Sequence, residues 1–157
     1  LLPEEAFRKL AETQAAPFIS RGDDSGTHAK EKQIWAGAGY DYESVRKLGG
    51  WYVEAGTGMG PTLSMADEKG GYTLSDIGTF LAYKSKTGLM EVVTEGASLL
   101  NVYSAIVCTK TKSPEMAGNL VTFLTSEDVQ RLIGEYGKAD FGQSLFVPCA
   151  GQPEPIS

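Results

Sequence analysis

The chain has 157 residues, 41% of them hydrophobic and 22% charged, with a formal net charge of −6. That balance suits a folded globular domain rather than a disordered chain, and it argues against a general nucleic-acid binder, which presents a broad basic surface to phosphates. No apolar run approaches the roughly 20 residues of a membrane helix, and Cys108 and Cys149 are too few and too far apart for a disulfide framework or a four-ligand metal site, leaving two free thiols or at most one bridge.

Pro3 to Gln14 opens with proline at a first helical position, carries Glu4 and Glu5 in the first turn and spaces Ala6, Phe7 and Leu10 as a helix does. Ala15 to Ser20 reads as a short strand, and Ser25 to about Ala36 as the next helix, stopped by Gly37 and Gly39. Tyr40 to Leu48 holds a further turn or two of helix. Gly49-Gly50 breaks it, and the state of Trp51 to Ala55 stays open. Gly56 to Gly60 precedes Pro61 and a helix to about Lys69. Its Gly-x-Gly-x-Gly spacing fails the dinucleotide-binding pattern, which needs a third glycine three residues after the second. The passage is either a tight helix entry or a second wall of a binding cleft with Thr57 and backbone N–H groups facing in.

Tyr72 to Leu74 is extended, and Ser75 caps a short helix through about Tyr83. Leu89 to Thr94, rich in β-branched residues, and Asn101 to Thr109 are expected as strands. Ser113-Pro114 restarts helix with Met116, Ala117, Leu120, Phe123 and Leu124 on one face, and Ser126 caps a second helix ending at Gly137. The tail from Gly151, with Pro153 and Pro155, reads as loose. Strands alternating with helices give an α/β fold, a central β-sheet flanked by helices, with residues 1–150 as one lobe and 151–157 as tail.

The chemistry concentrates in Phe18 to His28, where an apolar strand stops at Ser20, a polar turn follows and a helix starts near Ser25. Backbone N–H groups at such a start lack intrahelical partners and carry the positive end of the helix dipole, so they suit an anion. Arg21 adds a planar cation, and Ser20, Ser25, Thr27 and the Gly26 N–H add donors. Four readings stand open from the residues alone. Asp23-Asp24 as a cation site lacks the later bidentate glutamate of a calcium loop. Ser25 with His28, the single histidine, as nucleophile and base lacks the strained elbow. A structural turn would pair Arg21 with Asp23 or Asp24 and use Ser25 as an N-cap. An oxyanion site would use the same donors outward.

Ser20 to His28, Ser-Arg-Gly-Asp-Asp-Ser-Gly-Thr-His, resembles the signature of the tungstate-binding proteins that feed ABC transporters, members of the type II periplasmic-binding-protein class. Trp51-Tyr52, Gly56-Thr57-Gly58-Met59-Gly60, Ala66-Asp67-Glu68-Lys69 and Tyr72-Thr73-Leu74-Ser75-Asp76 follow in that family's order, and the helix pair from Ser113 is similar to the C-terminal helices of the class. The resemblance implies a periplasmic-binding-protein-like fold, a tungstate or molybdate ligand with no cofactor and no chemical step, an ABC permease as partner and an extracytoplasmic location. It carries over Arg21 and Thr27 as direct anion contacts, then Ser25 and Gly26, with Ser20 a further candidate donor from the residues themselves; Asp23 and Asp24 are read as orienting the turn, since a carboxylate facing a dianion would oppose it, and His28 as half-exposed. The family's first lobe carries a run of threonines ending in serine, which nothing here matches. The expectation is therefore one jaw of a two-jawed cleft, with an uncovered apolar surface open to self-association. Enzymes acting on phosphorylated or sulfated substrates, and effector domains of transcriptional regulators, are the alternatives.

Overall fold

The computed structural model describes residues 1–153, so the expected loose tail lies, from residue 154 on, outside the described residues. The chain divides into two compact units, the first spanning Leu1–Leu100 and the second beginning at Asn101, where the sequence reading takes residues 1–150 together.

The first unit holds helix α1 (Pro3–Thr13), strand β1 (Phe18–Ser20), α2 (Gly26–Gly37), α3 (Tyr42–Val45), β2 (Tyr52–Glu54), α4 (Met59–Glu68), β3 (Tyr72–Thr73) and α5 (Ile77–Tyr83), with 3-10 turns at Gly49–Trp51 and Ala97–Leu99. The three strands form one parallel sheet in the order β2-β1-β3. The open stretch Trp51 to Ala55 thus resolves into the end of a 3-10 turn and an edge strand. Strand β1, central and fully buried, alternates its side chains across the sheet. Phe18 faces α1 and α2. Its ring lies 5.2 Å from Phe7 and 5.3 Å from Trp35 and stacks on Tyr52 at 5.8 Å with 2° between the planes. Such aromatic pairs each add about 0.5–1.5 kcal/mol beyond area burial, and Trp35, Ile34 and Val45 complete this core at zero exposure.

A second, smaller cluster of Met59, Leu63 and Phe80 joins α4 to α5. The chain steps from β1 through α2 to β2 on one side, then from β2 through α4 to β3 on the other side of β1. Because parallel crossovers are right-handed, opposite steps require α2 and α4 on opposite faces of the sheet, and α4 packs directly against β1. Gly71 lets β3 approach this closely, for a Cβ there would stand 2.7 Å from the Pro17 carbonyl oxygen.

Four sequence expectations need correction. Asp76, not Ser75, caps α5, its carboxylate accepting from the Thr79 N–H at 2.7 Å. Leu89–Thr94 and Asn101–Thr109 are not strands. β-Branched residues supply only propensity, and a strand exists only where an edge pairs with it; the ladder of this sheet ends at β2 and β3. The second unit contains α6 (Pro114–Leu124), α7 (Glu127–Glu135) and α8 (Lys138–Phe141). Ser126 occupies the N-cap position of α7, but its hydroxyl donates to the Phe123 carbonyl instead of capping. Met116, Leu120 and Phe123 of α6 are 72%, 56% and 60% exposed, so the apolar face read from the sequence is present and largely uncovered. Cys108 and Cys149 are both free and exposed.

Candidate functional site

In an open parallel sheet the crevice beyond the carboxyl ends of two neighbouring strands, whose following helices lie on opposite faces, is the natural binding position. β1 and β2 make such a pair. The ladder extends past both strands, with the Ala55 N–H bonding to the Ser20 carbonyl and the Gly56 N–H to the Arg21 carbonyl, each at 2.8 Å. That pairing brings the Arg21 turn alongside the glycine loop that leads into α4. The N-termini of α2 and α4 therefore open onto one crevice. Gly26 and Thr27 at the start of α2, and Met59 and Gly60 at the start of α4, have no intrahelical acceptor for their N–H groups. Thr57, in the loop before α4, is partly buried.

The turn from Arg21 to Ser25 is held from several directions. Gly22 adopts φ +59, and a Cβ there would stand 2.7 Å from the Cβ of Glu54, so the turn lies against β2. Arg21 donates from Nη2 to Asp23 Oδ2 at 2.5 Å. Its Nε is buried and has no hydrogen-bond partner among the described residues. Burial raises the Asp23 carboxyl, but hydrogen bonds from Ser25 and Arg21 outweigh it and hold the group below its ordinary value. A partly exposed pair of this kind contributes at most about 1 kcal/mol, less than the 1.5–3 kcal/mol of a hydrogen bond to a charged group. Arg21 can therefore turn from Asp23 to an arriving anion at net gain.

Ser25 caps α2, its Oγ accepting from the His28 N–H at 3.3 Å, while its own N–H donates to Asp23 Oδ1 at 3.2 Å. The features of the purely structural reading are thus present, yet they leave the Gly26 and Thr27 N–H groups and the Thr27 hydroxyl uncommitted. Gly26 faces open space. Ser20 points the other way, wholly buried, its hydroxyl donating to Glu31 Oε2 at 2.7 Å and accepting from the Gly22 N–H at 3.2 Å.

His28 is buried, not half-exposed, at 3%. Its Nδ1 accepts from the Asp24 N–H at 3.0 Å, fixing the proton on Nε2, which donates to Tyr42 Oη at 2.6 Å. The Tyr42 hydroxyl donates to Glu54 Oε1 at 2.9 Å, and Arg46 bonds Glu54 Oε2 at 3.0 Å. Burial first, then the charge of Lys32, lowers the His28 pKa, so the imidazole is neutral. With both ring nitrogens engaged inside the protein, His28 cannot serve Ser25 as a base. Burial raises Glu54, but Arg46 and Tyr42 prevail and lower it; burial pushes Tyr42 up to about 12. Asp24, at φ +55, is exposed and pairs with Lys32 at 2.9 Å.

Sequence reasoning missed Glu31. It is 2% exposed and accepts from Ser20, from Trp35 Nε1 at 3.1 Å and from the Tyr52 hydroxyl at 2.6 Å. Burial, the largest effect, raises its carboxyl above the usual range despite these three bonds. Between Lys30 and Lys32 it reads as a solvated charge; the spacing His28, Glu31, Trp35 was the signal that it faces inward. The face of α2 turned to the sheet is polar toward the crevice and apolar beyond it, at Ile34 and Trp35.

A family model described as a PBP superfamily domain matches residues 4–128. The chain belongs to the PBP superfamily. Among PBP-related proteins it is similar to the tungstate-binding protein TupA of Peptoclostridium acidaminophilum, 43% identical over 151 residues that cover 94% of this chain and 51% of that protein. TupA of Campylobacter jejuni is 35% identical over 138 residues, covering 82% and 49%. The solved tungstate-binding protein TupA of Desulfovibrio alaskensis G20 superposes with a TM-score of 0.74 at 33% identity, covering 96% of this chain and 61% of that one. The tungstate ABC transporter structure from Geobacter sulfurreducens gives 0.64 at 38%, covering 85% and 56%. The chain spans about half the length of the curated relatives it matches.

Proposed function

We propose that this chain captures a tetrahedral oxyanion, tungstate or molybdate, as part of the extracytoplasmic substrate-binding component of an ABC transporter, and hands it to a membrane permease. The observation that carries the reading is the meeting of two helix N-termini, α2 and α4, beside Arg21 at the carboxyl ends of β1 and β2. Backbone donors there match a small dianion without requiring positive surface elsewhere, which fits a chain of net charge −6. The resemblance to proteins named for tungstate binding supports the same ligand. The direct contacts in this proposal are Arg21, Thr27 and the Gly26 N–H, with Ser25 shaping the helix start and Ser20 holding the strand end from below. The α4 loop adds Thr57 and the Met59 and Gly60 N–H groups. No cofactor enters the reading, and the bonding of His28 supports binding over hydrolysis. No helix among the described residues is long and apolar enough to cross a membrane.

Calorimetric titration of the chain with tungstate, molybdate, sulfate and phosphate tests the proposal. Heat with tungstate and none with phosphate is expected. Turnover of a phosphoester or sulfate ester, or binding of phosphate alone, would overturn it.

A further inference from the structure

Glu31 is a buried carboxyl for which the anion reading has so far had no use. It lies five residues beyond Gly26, about 8 Å along the axis of the helix whose N-terminus faces the crevice. It has no salt-bridge partner among the described residues, only three neutral donors: Ser20 from β1, Tyr52 from β2 and Trp35 from its own helix. The titratable groups facing it are Tyr52 and, a step farther, Tyr42 and Glu54, with His28 one turn toward the crevice. From α1 and the 3-10 turn at Ala97–Leu99 the neighbours in this core are apolar, Phe7, Ala11 and Leu99. The charged side chains of α1 nearest α2, Glu4 and Arg8, meet it at Gly37 and Ala38, well over a turn beyond Glu31.

We propose that Glu31 is a positioning residue of the anion site and that its carboxyl takes up a proton when a dianion binds at the N-terminus of α2. The inference rests on the oxyanion reading above. Positioning follows from the bond chain. Glu31 holds the Ser20 hydroxyl, which receives the Gly22 N–H, and Gly22 is the residue that lays the Arg21 turn against β2. Proton uptake follows from charge. A dianion within about 10 Å, in a region of low effective dielectric, opposes a second negative charge that has no cation of its own, and a like charge favours the neutral form of a carboxyl. The proton balance is simple: the carboxylate gains one proton from solvent, and its new O–H donates to the Tyr52 or Ser20 hydroxyl, either of which can rotate to accept. The sign follows. Anion affinity is highest where Glu31 is already protonated and falls as pH rises through its raised value, by at most about tenfold per pH unit for one proton. His28 also titrates on this helix, lowered from its ordinary 6.5, and Glu31→Gln, which retains it, separates its contribution from that of Glu31.

The test is calorimetry with micromolar sodium tungstate across pH 5 to 9, in pairs of buffers with different ionisation enthalpies. Heats that differ between buffers by a fractional proton uptake, with affinity falling as pH rises, are expected for the natural chain. Glu31→Gln should bind without uptake and with a flat profile. Tyr52→Phe, which removes one donor to the carboxylate, should move the fall in affinity to higher pH. If Glu31→Gln does not fold, the natural chain and Tyr52→Phe decide the matter alone. Tungstate heats identical in all buffers at every pH would overturn the inference while leaving the anion site standing; no tungstate heat at any pH would overturn both.

Discussion

Replacing Gly22 with alanine probes whether the turn carrying Arg21 is fixed by its contact with β2. Two costs add. At φ +59 a side chain enters the left-handed region, at about 1–2 kcal/mol. The new Cβ would also stand 2.7 Å from the Cβ of Glu54, a branch point fixed to the strand rather than a flexible tip. Overpacking of this kind costs about 1–3 kcal/mol. The sum, about 2–5 kcal/mol, is a large share of the 5–15 kcal/mol that a domain of this size commands. Urea unfolding followed by tryptophan fluorescence reads it directly, because Trp35 and Trp51 both lie in the first unit's core. Gly26→Ala is the control of opposite sign. Its Cβ meets nothing within 4 Å and its φ is helical, so alanine should raise stability by about 0.4–1 kcal/mol. Gly22→Ala within 0.5 kcal/mol of the natural chain would show that the turn relaxes freely and that the close approach to Glu54 does not position Arg21.

Arg21→Lys should weaken tungstate binding nearly as much as Arg21→Ala, on the order of 1.5–3 kcal/mol, because a point charge does not reproduce a planar fork, whereas Thr27→Val should cost less; calorimetry that ranks the lysine variant with the natural chain would remove Arg21 as a ligand. Tyr42→Phe leaves His28 Nε2 without its acceptor and Glu54 Oε1 without the Tyr42 donor, and should cost about 1–3 kcal/mol of stability in denaturant titrations. The pH dependence of thermal unfolding should carry two opposed slopes: His28, lowered in the fold, loses stability as pH falls below 6.5, while Glu31, raised in the fold, gains it as pH falls toward 4.5. Acid loss should therefore steepen in Glu31→Gln, and an unchanged slope would count against the Glu31 assignment. The exposed Met116, Leu120 and Phe123 should drive concentration-dependent association in sedimentation, reduced by Phe123→Ser.

Local signals located the elements that position the site. Pro3, Ser25 and the glycines at 56 to 60 announced helix starts that the fold uses, and the break at Ser20 is where β1 ends. Local signals failed where an element depends on a partner. The valine- and isoleucine-bearing segments at 89–94 and 101–109 have strand propensity and no edge to join. Within the site, outward donors were legible because their meaning depends only on the helix start. The inward network was not, since Glu31, Tyr42, Tyr52 and Glu54 acquire their roles from contacts between α2, α3 and β2 that no single stretch contains. The burial of His28 was misjudged for the same reason.

The Nε of Arg21, buried without an acceptor among the described residues, has a thermodynamic consequence for the whole chain. An unmet buried donor costs about 1–3 kcal/mol, and that cost weighs on the folded state alone, because in the unfolded chain water meets it. Any anion that supplies the missing acceptor therefore raises the melting temperature as well as filling the crevice, with a gain that grows as the logarithm of free anion over its dissociation constant. Recognition and folding share one free energy here. On the anion-binding reading proposed above, the fold is least stable when the anion is scarce, so depletion would shorten the lifetime of the chain.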